Sequence, residues 1–299
     1  MRIGGLDVLF DSLSRQNYMK FEVILVDGIY RYRHKEVIEQ VRRGGYLRDF
    51  SFRHIEPLGN KFPRFALSRA INTGLVAAHG DIILQSYDNC WFPNDWVRKH
   101  AEFHEEHPEE SAAAVSGDKR YSMPRLHKDV PHYKKETPAD SAKYLKDLDC
   151  GILNRYMWSV LEGDWEGDPQ DILPLDPAHG LECAVMQQPV GPIQPRWVCG
   201  KNDSYKLRMA LEVNGWDEAY DGYRPFHDTD FGWRTHHQAK VQWYRIDNWM
   251  RMLFYHDYLP SAIPHDTWNR NEAYFKSRAA QGFMGSVNSW DLSITRGNR

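Results

Sequence analysis

A chain of 299 residues is long enough for one large domain or two small ones, and its 41% hydrophobic and 26% charged content is ordinary for a globular fold. Its formal net charge of −3 excludes the blanket attraction to nucleic acid that a basic surface supplies. Its apolar runs, such as Phe21–Val26, are too short to span a bilayer. Four widely spaced cysteines (Cys90, Cys150, Cys183, Cys199) form no CxxC pair, which argues against a zinc ribbon or a disulfide framework. With no charged-then-apolar signal segment at its start, a reduced, cytoplasmic protein is the expectation. Aromatics are the compositional outlier. Eleven Trp and 16 Tyr suit stacking on the apolar faces of sugar rings, and equally suit a core.

Along the chain, Leu6, Leu9, Phe10 and Leu13 recur with a helical period. Phe21–Val26 follows as a short, continuous apolar run closed by Asp27-Gly28, the pattern of a buried parallel strand. Residues 34–43 read as a helix, Phe50–Ile55 as a second strand, and Phe65–His79 as a helix with Leu67, Ala70, Ile71, Leu75 and Ala78 on one face. Gly80-Asp81 breaks that helix before a third strand, Ile82–Leu84. Helix–strand alternation predicts an α/β, doubly wound, mostly parallel sheet with helices on both faces. Ligands of such sheets bind beyond the carboxyl ends of the strands, where Asp27 and Tyr87-Asp88-Asn89 fall. Residues 105–196 carry Pro, Gly, Asp and His clusters and little periodicity beyond a helix near 142–161, so they read as an insertion. Strong patterning resumes at Trp197. The chain thus divides into residues 1–104, 105–196 and 197–299.

Three blocks bear on function. Leu13-Ser14-Arg15-Gln16 leads into Phe21–Gly28; Asn72-Thr73-Gly74 leads through Ala78-His79-Gly80-Asp81 to Tyr87-Asp88-Asn89 and Pro93-Asn94-Asp95-Trp96; Gly200-Lys201-Asn202-Asp203-Ser204 precedes Asn214–Glu218 and His227-Asp228-Thr229-Asp230. In this order and spacing the blocks resemble the inverting family-2 glycosyltransferases of the GT-A type. The last is also similar to a galactosyltransferase C-terminal pattern. The resemblance covers residues 6–100 and 197–257. It implies a Rossmann-like nucleotide-binding half (1–104), an acceptor-shaping insertion (105–196) and a donor-sugar and acceptor half carrying the base (197–299). Two departures stand out. The chain has no room before Leu6 for the family's usual first strand, and the acidic metal motif is reduced to one acid.

The resemblance also assigns roles. Asp27 would meet the nucleotide base, with Asn72, Asp88, Gly200 and Asn202 completing the nucleotide and donor contacts; a plain strand-end turn is the alternative for Asp27. Asp88, Asn89 and His256 would hold a divalent cation, Mn or Mg, because hard ions favour oxygen and nitrogen ligands over the soft Cys90. Asp228 would be the catalytic base, supported by Asp230 and His227. A sugar hydroxyl is a poor nucleophile and needs such a base. Asp230, two residues on, reads as the cap of the following helix, and capping alone is the competing account of both acids. Trp216 and Trp233 read equally as sugar-stacking faces or as core. Arg64 could face the diphosphate, whereas Arg69 reads as a solvated helix face. His100, His104 and His107 share a helix face and, among Glu102, Glu105 and Glu106, read as solvated. The partners implied are a nucleotide-diphosphate sugar and a saccharide or other hydroxyl acceptor, with no nucleic acid and no transmembrane segment. A nucleotidyltransferase would need a glycine-rich loop after the first strand, which is not there. A non-catalytic sugar-binding relative is the alternative from another class.

Overall fold

A computed structural model of the chain describes residues 6–28, 30–59, 66–88, 90–109, 111–122, 184–222, 225–254, 265–288 and 291–292. Helix α1 (Leu6–Ser14) buries Leu6, Leu9, Phe10 and Leu13 along one face, as their spacing requires. Strand β1 (Glu22–Val26) pairs in parallel with β2 (Ser51–Ile55), and α2 (Tyr30–Arg43) forms the crossover between them. Helix α2 closes on Gly44-Gly45, where Gly45 adopts φ 74°, and Arg42 and Arg43 in its last turn complement the helix dipole. Helix α3 (Leu67–Ala77) then leads to β3 (Ile82–Gln85). The N-terminus of α3 is capped from far along the chain, since the Asp221 carboxylate accepts the N–H groups of Ser68 (2.8 Å) and Arg69 (3.1 Å).

The larger sheet runs β3-β7-β5-β8-β4, with β6 also on β8. Its other strands are β4 (Cys90–Trp91), β5 (Ala112–Ser122), β6 (Gly191–Ile193), β7 (Asp203–Lys206) and β8 (Gln242–Phe254). This corrects the expectation of a mostly parallel sheet. Only β1·β2 and β5·β8 are parallel among the described pairings, and β3·β7, β5·β7, β4·β8 and β6·β8 are antiparallel. Helix–strand alternation governs the first hundred residues, but β7 enters from the second half of the chain and lies between β3 and β5, opposed to both. Remaining helices are α4 (Trp96–Glu106), α5 (Leu207–Glu212), α6 (His227–Ala239) and α7 (His265–Ala280).

Strand β5 comes from the stretch read as an insertion, yet it is central. Ala112, Ala113, Ala114 and Val115 are all essentially inaccessible. A strand covered on both faces shows no alternation, and alanine carries little strand preference, so this segment gives no strand signal. The helix expected near 142–161 lies outside the described residues.

Two large apolar clusters pack on the strands among the described residues, beside a smaller one of Phe103, Ala112 and Ala114. One gathers Leu75, Val115, Tyr205, Met209, Trp216, Phe231 and Trp243; the other gathers Phe10, Val41, Phe50, Phe92, Trp96 and Met250. Each large side chain so buried contributes about 1.5–3 kcal/mol. Among the described residues no helix is long and apolar enough to cross a membrane.

Candidate functional site

Strand β1 delivers Asp27 to its carboxyl end, where the Asp27 N–H donates to Ile55 O at 2.9 Å. The buried Asp27 Oδ2 accepts from Nε of Arg33 on α2 and from Nε2 of His54 on β2 (2.9 Å). The Nδ1 atoms of His54 and His34 lie 3.1 Å apart, a hydrogen bond that carries the chain of partners on from Asp27 to α2. The Tyr30 ring packs on both imidazoles, with centroids 4.5 Å and 4.8 Å away. At its other end Arg33 places a guanidinium nitrogen 4.0 Å from Asp88 Oδ2, just past β3. Burial works against the Arg33 charge, but Asp27 and Asp88 overcome it and hold the guanidinium protonated. Arg33 therefore ties the end of β1 to the end of β3, which share no strand pairing.

The second group of residues gathers around the turn before β7. Gly200 sits at φ 68°, and a Cβ there would lie 3.0 Å from the Trp216 ring and 3.3 Å from Asp228 Cβ. Only glycine lets the backbone approach both. Its N–H donates to Asp203 Oδ2 at 2.7 Å, and its carbonyl accepts from Gln85 Nε2 at the end of β3. Asp88 is three residues beyond Gln85, a reach of about 10 Å at most, so β3 carries both groups at one end. Asn202 is fully buried; its Oδ1 accepts from Trp96 Nε1 (2.8 Å) and its Nδ2 donates to Gly117 O (2.7 Å). Asn72 is equally buried and clamps the other turn, donating to Trp216 O (2.8 Å) and accepting the Trp216 N–H (2.7 Å). Both amides thus spend their polar atoms on the protein.

Helix α6 begins at His227, and its N-cap is Phe226 in the left-handed region at φ 83°, with no side-chain cap bond. Asp230 is therefore not the cap. It lies within the first turn, inaccessible, its Oδ2 accepting from Arg234 Nε at 2.6 Å. Arg234 in turn donates to Val213 O (2.9 Å) and Gly215 O (2.8 Å). Burial raises the Asp230 carboxyl against the opposing pull of Arg234. Asp228 is half-exposed and accepts the Thr229 N–H at 2.8 Å, with no cation within 4 Å among the described residues. The buried His227 ring lies 5.9 Å from that of Trp216.

Other sequence candidates fall elsewhere. Trp216 stacks on Phe231 at 4.6 Å within the core, and Trp233 stacks on Phe283 at 5.9 Å. Arg69 is buried, bonded to Glu218 Oε2 at 3.1 Å, not solvated. His100 and His104 are also buried, not solvated, because their face of α4 meets the Ser204 hydroxyl of β7 at 2.8 Å and 2.9 Å. Asn89, His256 and Arg64 lie outside the described residues, among which no three His, Cys, Asp or Glu side chains assemble a metal-binding group. Sequence reasoning missed Arg33 and Asp203. Arg33 sits in a run of basic residues that reads as a solvated face, and Asp203 sits inside a quoted motif without a role assigned to it.

No curated protein sequence matches the chain. Among solved structures it is similar to S. aureus TarS 1-349 in complex with UDP-GlcNAc, at 11% identity and a TM-score of 0.49, covering 87% of this chain and 58% of that one. It is also similar to GalNAc-T7 with UDP, GalNAc and Mn2+, at 10% identity and a TM-score of 0.49, covering 96% and 50%. The chain spans little more than half the length of these structures. The pattern of glycosyl transferase family 2 matches residues 3–153, half of the chain, which takes in β1, Arg33 and Asp88 and stops short of Gly200 and Asp228. On that match the chain belongs to glycosyl transferase family 2.

Proposed function

We propose that this chain transfers a sugar from a nucleotide-diphosphate donor to a hydroxyl of a saccharide or other acceptor, inverting the anomeric carbon, with Asp228 as base. The observation that carries the reading is the contrast within the first turn of α6. Asp230 is buried and ion-paired, while Asp228 is half-exposed beside Gly200, a turn that only glycine can make. An accessible carboxylate without a partner cation accepts a proton; a paired one holds structure.

In the proposed step the acceptor hydroxyl oxygen attacks the anomeric carbon as its proton passes to Asp228. The bond from that carbon to the diphosphate oxygen breaks, and its electron pair leaves with the nucleotide. Tyr30, Asp27 and Arg33 offer the nucleotide an aromatic face, a carboxylate and a cation, and Asp88 lies beside them. Gly200 admits the donor sugar close to the backbone. Asn72 and Asn202 act by fixing the two turns, and His227 by packing against Trp216. Of the expected metal ligands only Asp88 is among the described residues, and Arg33 faces it, so no step here runs through a metal.

A thermal-shift panel of UDP-glucose, UDP-N-acetylglucosamine and GDP-mannose, with and without Mn, tests the donor class. A ligand of the folded state raises the midpoint by mass action. Hydrolysis of the bound donor then tests turnover. Binding with no turnover by any donor would favour the non-catalytic reading, and no binding at all would remove the proposal.

A further inference from the structure

Asp203 is a buried acid that the mechanism above does not use. It opens β7, between Gln85 of β3 and Val115 of β5, neither of which carries a charge. Side chains alternate along β7. Ser204 points to the histidines of α4, and Asp203 and Tyr205 point the other way, toward α6. Asp203 Oδ2 accepts the Gly200 N–H at 2.7 Å, and its Oδ1 lies 3.6 Å from the Cys199 thiol. Gly200 in turn lies beside Asp228, so close that a Cβ on it would come within 3.3 Å of the Asp228 Cβ. The ionisable groups around Asp203 are Asp228 of α6, Tyr205 of its own strand, and Cys199 and Lys201 of the preceding turn. Among the described residues no cation lies within 4 Å of its carboxylate.

We propose that Asp203 is a positioning residue for the transfer reaction: it holds the Gly200 turn against Asp228, and its charge sets how readily Asp228 takes the acceptor's proton. The inference rests on the reading of Asp228 as base. Burial pushes the Asp203 carboxyl up to about 7; the Gly200 N–H opposes this, and the Asp228 charge adds to it. Near neutrality Asp203 therefore passes from neutral to anionic. Its negative charge then favours proton transfer to Asp228, and the coupling is mutual. No such gain arises below that range, where Asp203 is a neutral acid.

The test uses whichever donor of the panel is hydrolysed, with water as acceptor, from pH 5 to 9. The rate should rise through about pH 7 in the parent. Asp203→Asn keeps an oxygen for the Gly200 N–H, removes that rise, and lowers the rate at pH 8 about three- to tenfold. A parent-like profile in Asp203→Asn overturns the inference. Asp228→Asn, run alongside, separates the two readings. Full turnover there removes the base assignment itself, whereas loss there with an unchanged Asp203→Asn profile removes only the role of Asp203. A second measurement needs no turnover. The infrared band of the protonated carboxyl that Asp203→Asn removes should vanish near pH 7 in the parent and at lower pH in Asp228→Asn. An unmoved midpoint overturns the coupling.

Discussion

Asp27 and Asp203 are both buried acids at strand ends, yet they are opposites electrostatically. Asp27 sits between Arg33 and His54, and Arg33 continues to Asp88. Asp203 has a backbone N–H and a thiol, and the charge that acts on it is another carboxylate, Asp228. The same contrast repeats in one turn of α6, where Asp230 has Arg234 and Asp228 has no cation within 4 Å among the described residues. A paired buried acid is a fixed strut, and removing its partner leaves an uncompensated charge. An acid without a cation is left available to a proton donor, which is what a general base requires.

The sharpest way to break this contrast is to neutralise its two kinds of acid in turn. Asp228→Asn should lower transfer by about 100- to 10,000-fold while leaving melting temperature and donor affinity near the parent's. One rate, one melt and one titration decide it, and near-parent turnover would place the base elsewhere. Arg234→Met should do the reverse. With only Arg278, 3.8 Å away, left among the described residues to offset the buried Asp230 charge, the loss should be about 3 kcal/mol of stability, read from a denaturant melt. A loss below about 1 kcal/mol would show that the pair is not a strut.

The pH dependence of stability sharpens the comparison further. Burial, first of all, lowers His100 to about 3 and His104 to about 4, so both stay neutral in the fold while the unfolded chain protonates them below about 6.5. Their stabilisation is complete above that value and is lost as pH falls through 6.5 toward 4. Asp203 and Asp221 shift the other way, raised by burial to about 7 and about 6. The fold then holds protons that the unfolded chain releases, and this stability is lost as pH rises through 4 to 7. Each group changes the slope by about 1.4 kcal/mol per pH unit within its window. Relative to the parent, His100→Gln with His104→Gln should tilt stability downward with rising pH, and Asp203→Asn with Asp221→Asn should tilt it upward. Melts at pH 4.5 and 6 check both, and parallel lines would refute the assignment.

Smaller effects are expected at the two links. Arg33→Met should weaken nucleotide binding about tenfold, or 1.4 kcal/mol, by leaving Asp27 and Asp88 to repel the diphosphate. Mn should restore part of the loss in this variant and change little in the parent. A calorimetric titration with UDP, with and without Mn, decides it. Gly200→Ala should cost roughly 1–2 kcal/mol in a melt, for its left-handed backbone and its Cβ contact with Trp216.

The alternation of helices and strands over residues 6–85 was legible because each element there has one apolar face of the right period, or a short apolar run with a breaker after it. Asp228 and Asp230 were visible as a pair, and nothing local told them apart. Strand β5 was invisible because both its faces are covered, Ala113 and Val115 by the cluster of Leu75, Phe231 and Trp243, and Ala112 and Ala114 by Phe103 of α4. Arg69, His100 and His104 were misread as solvated for a related reason. A polar residue on a helix face signals water unless a distant partner such as Glu218 or Ser204 is waiting there.

The sequence alone determined which segments coil or extend and which motifs bear acids, because propensity, periodicity and breakers act over a few residues. Tertiary structure alone decided the direction of the central strands, the partner of each acid and the degree of its burial. Those depend on contacts between residues far apart along the chain, such as Gln85 with Gly200 at a separation of 115 residues. Desolvation and pairing are properties of the assembled neighbourhood, so the same residue type becomes a strut at position 230 and an accessible carboxylate at position 228.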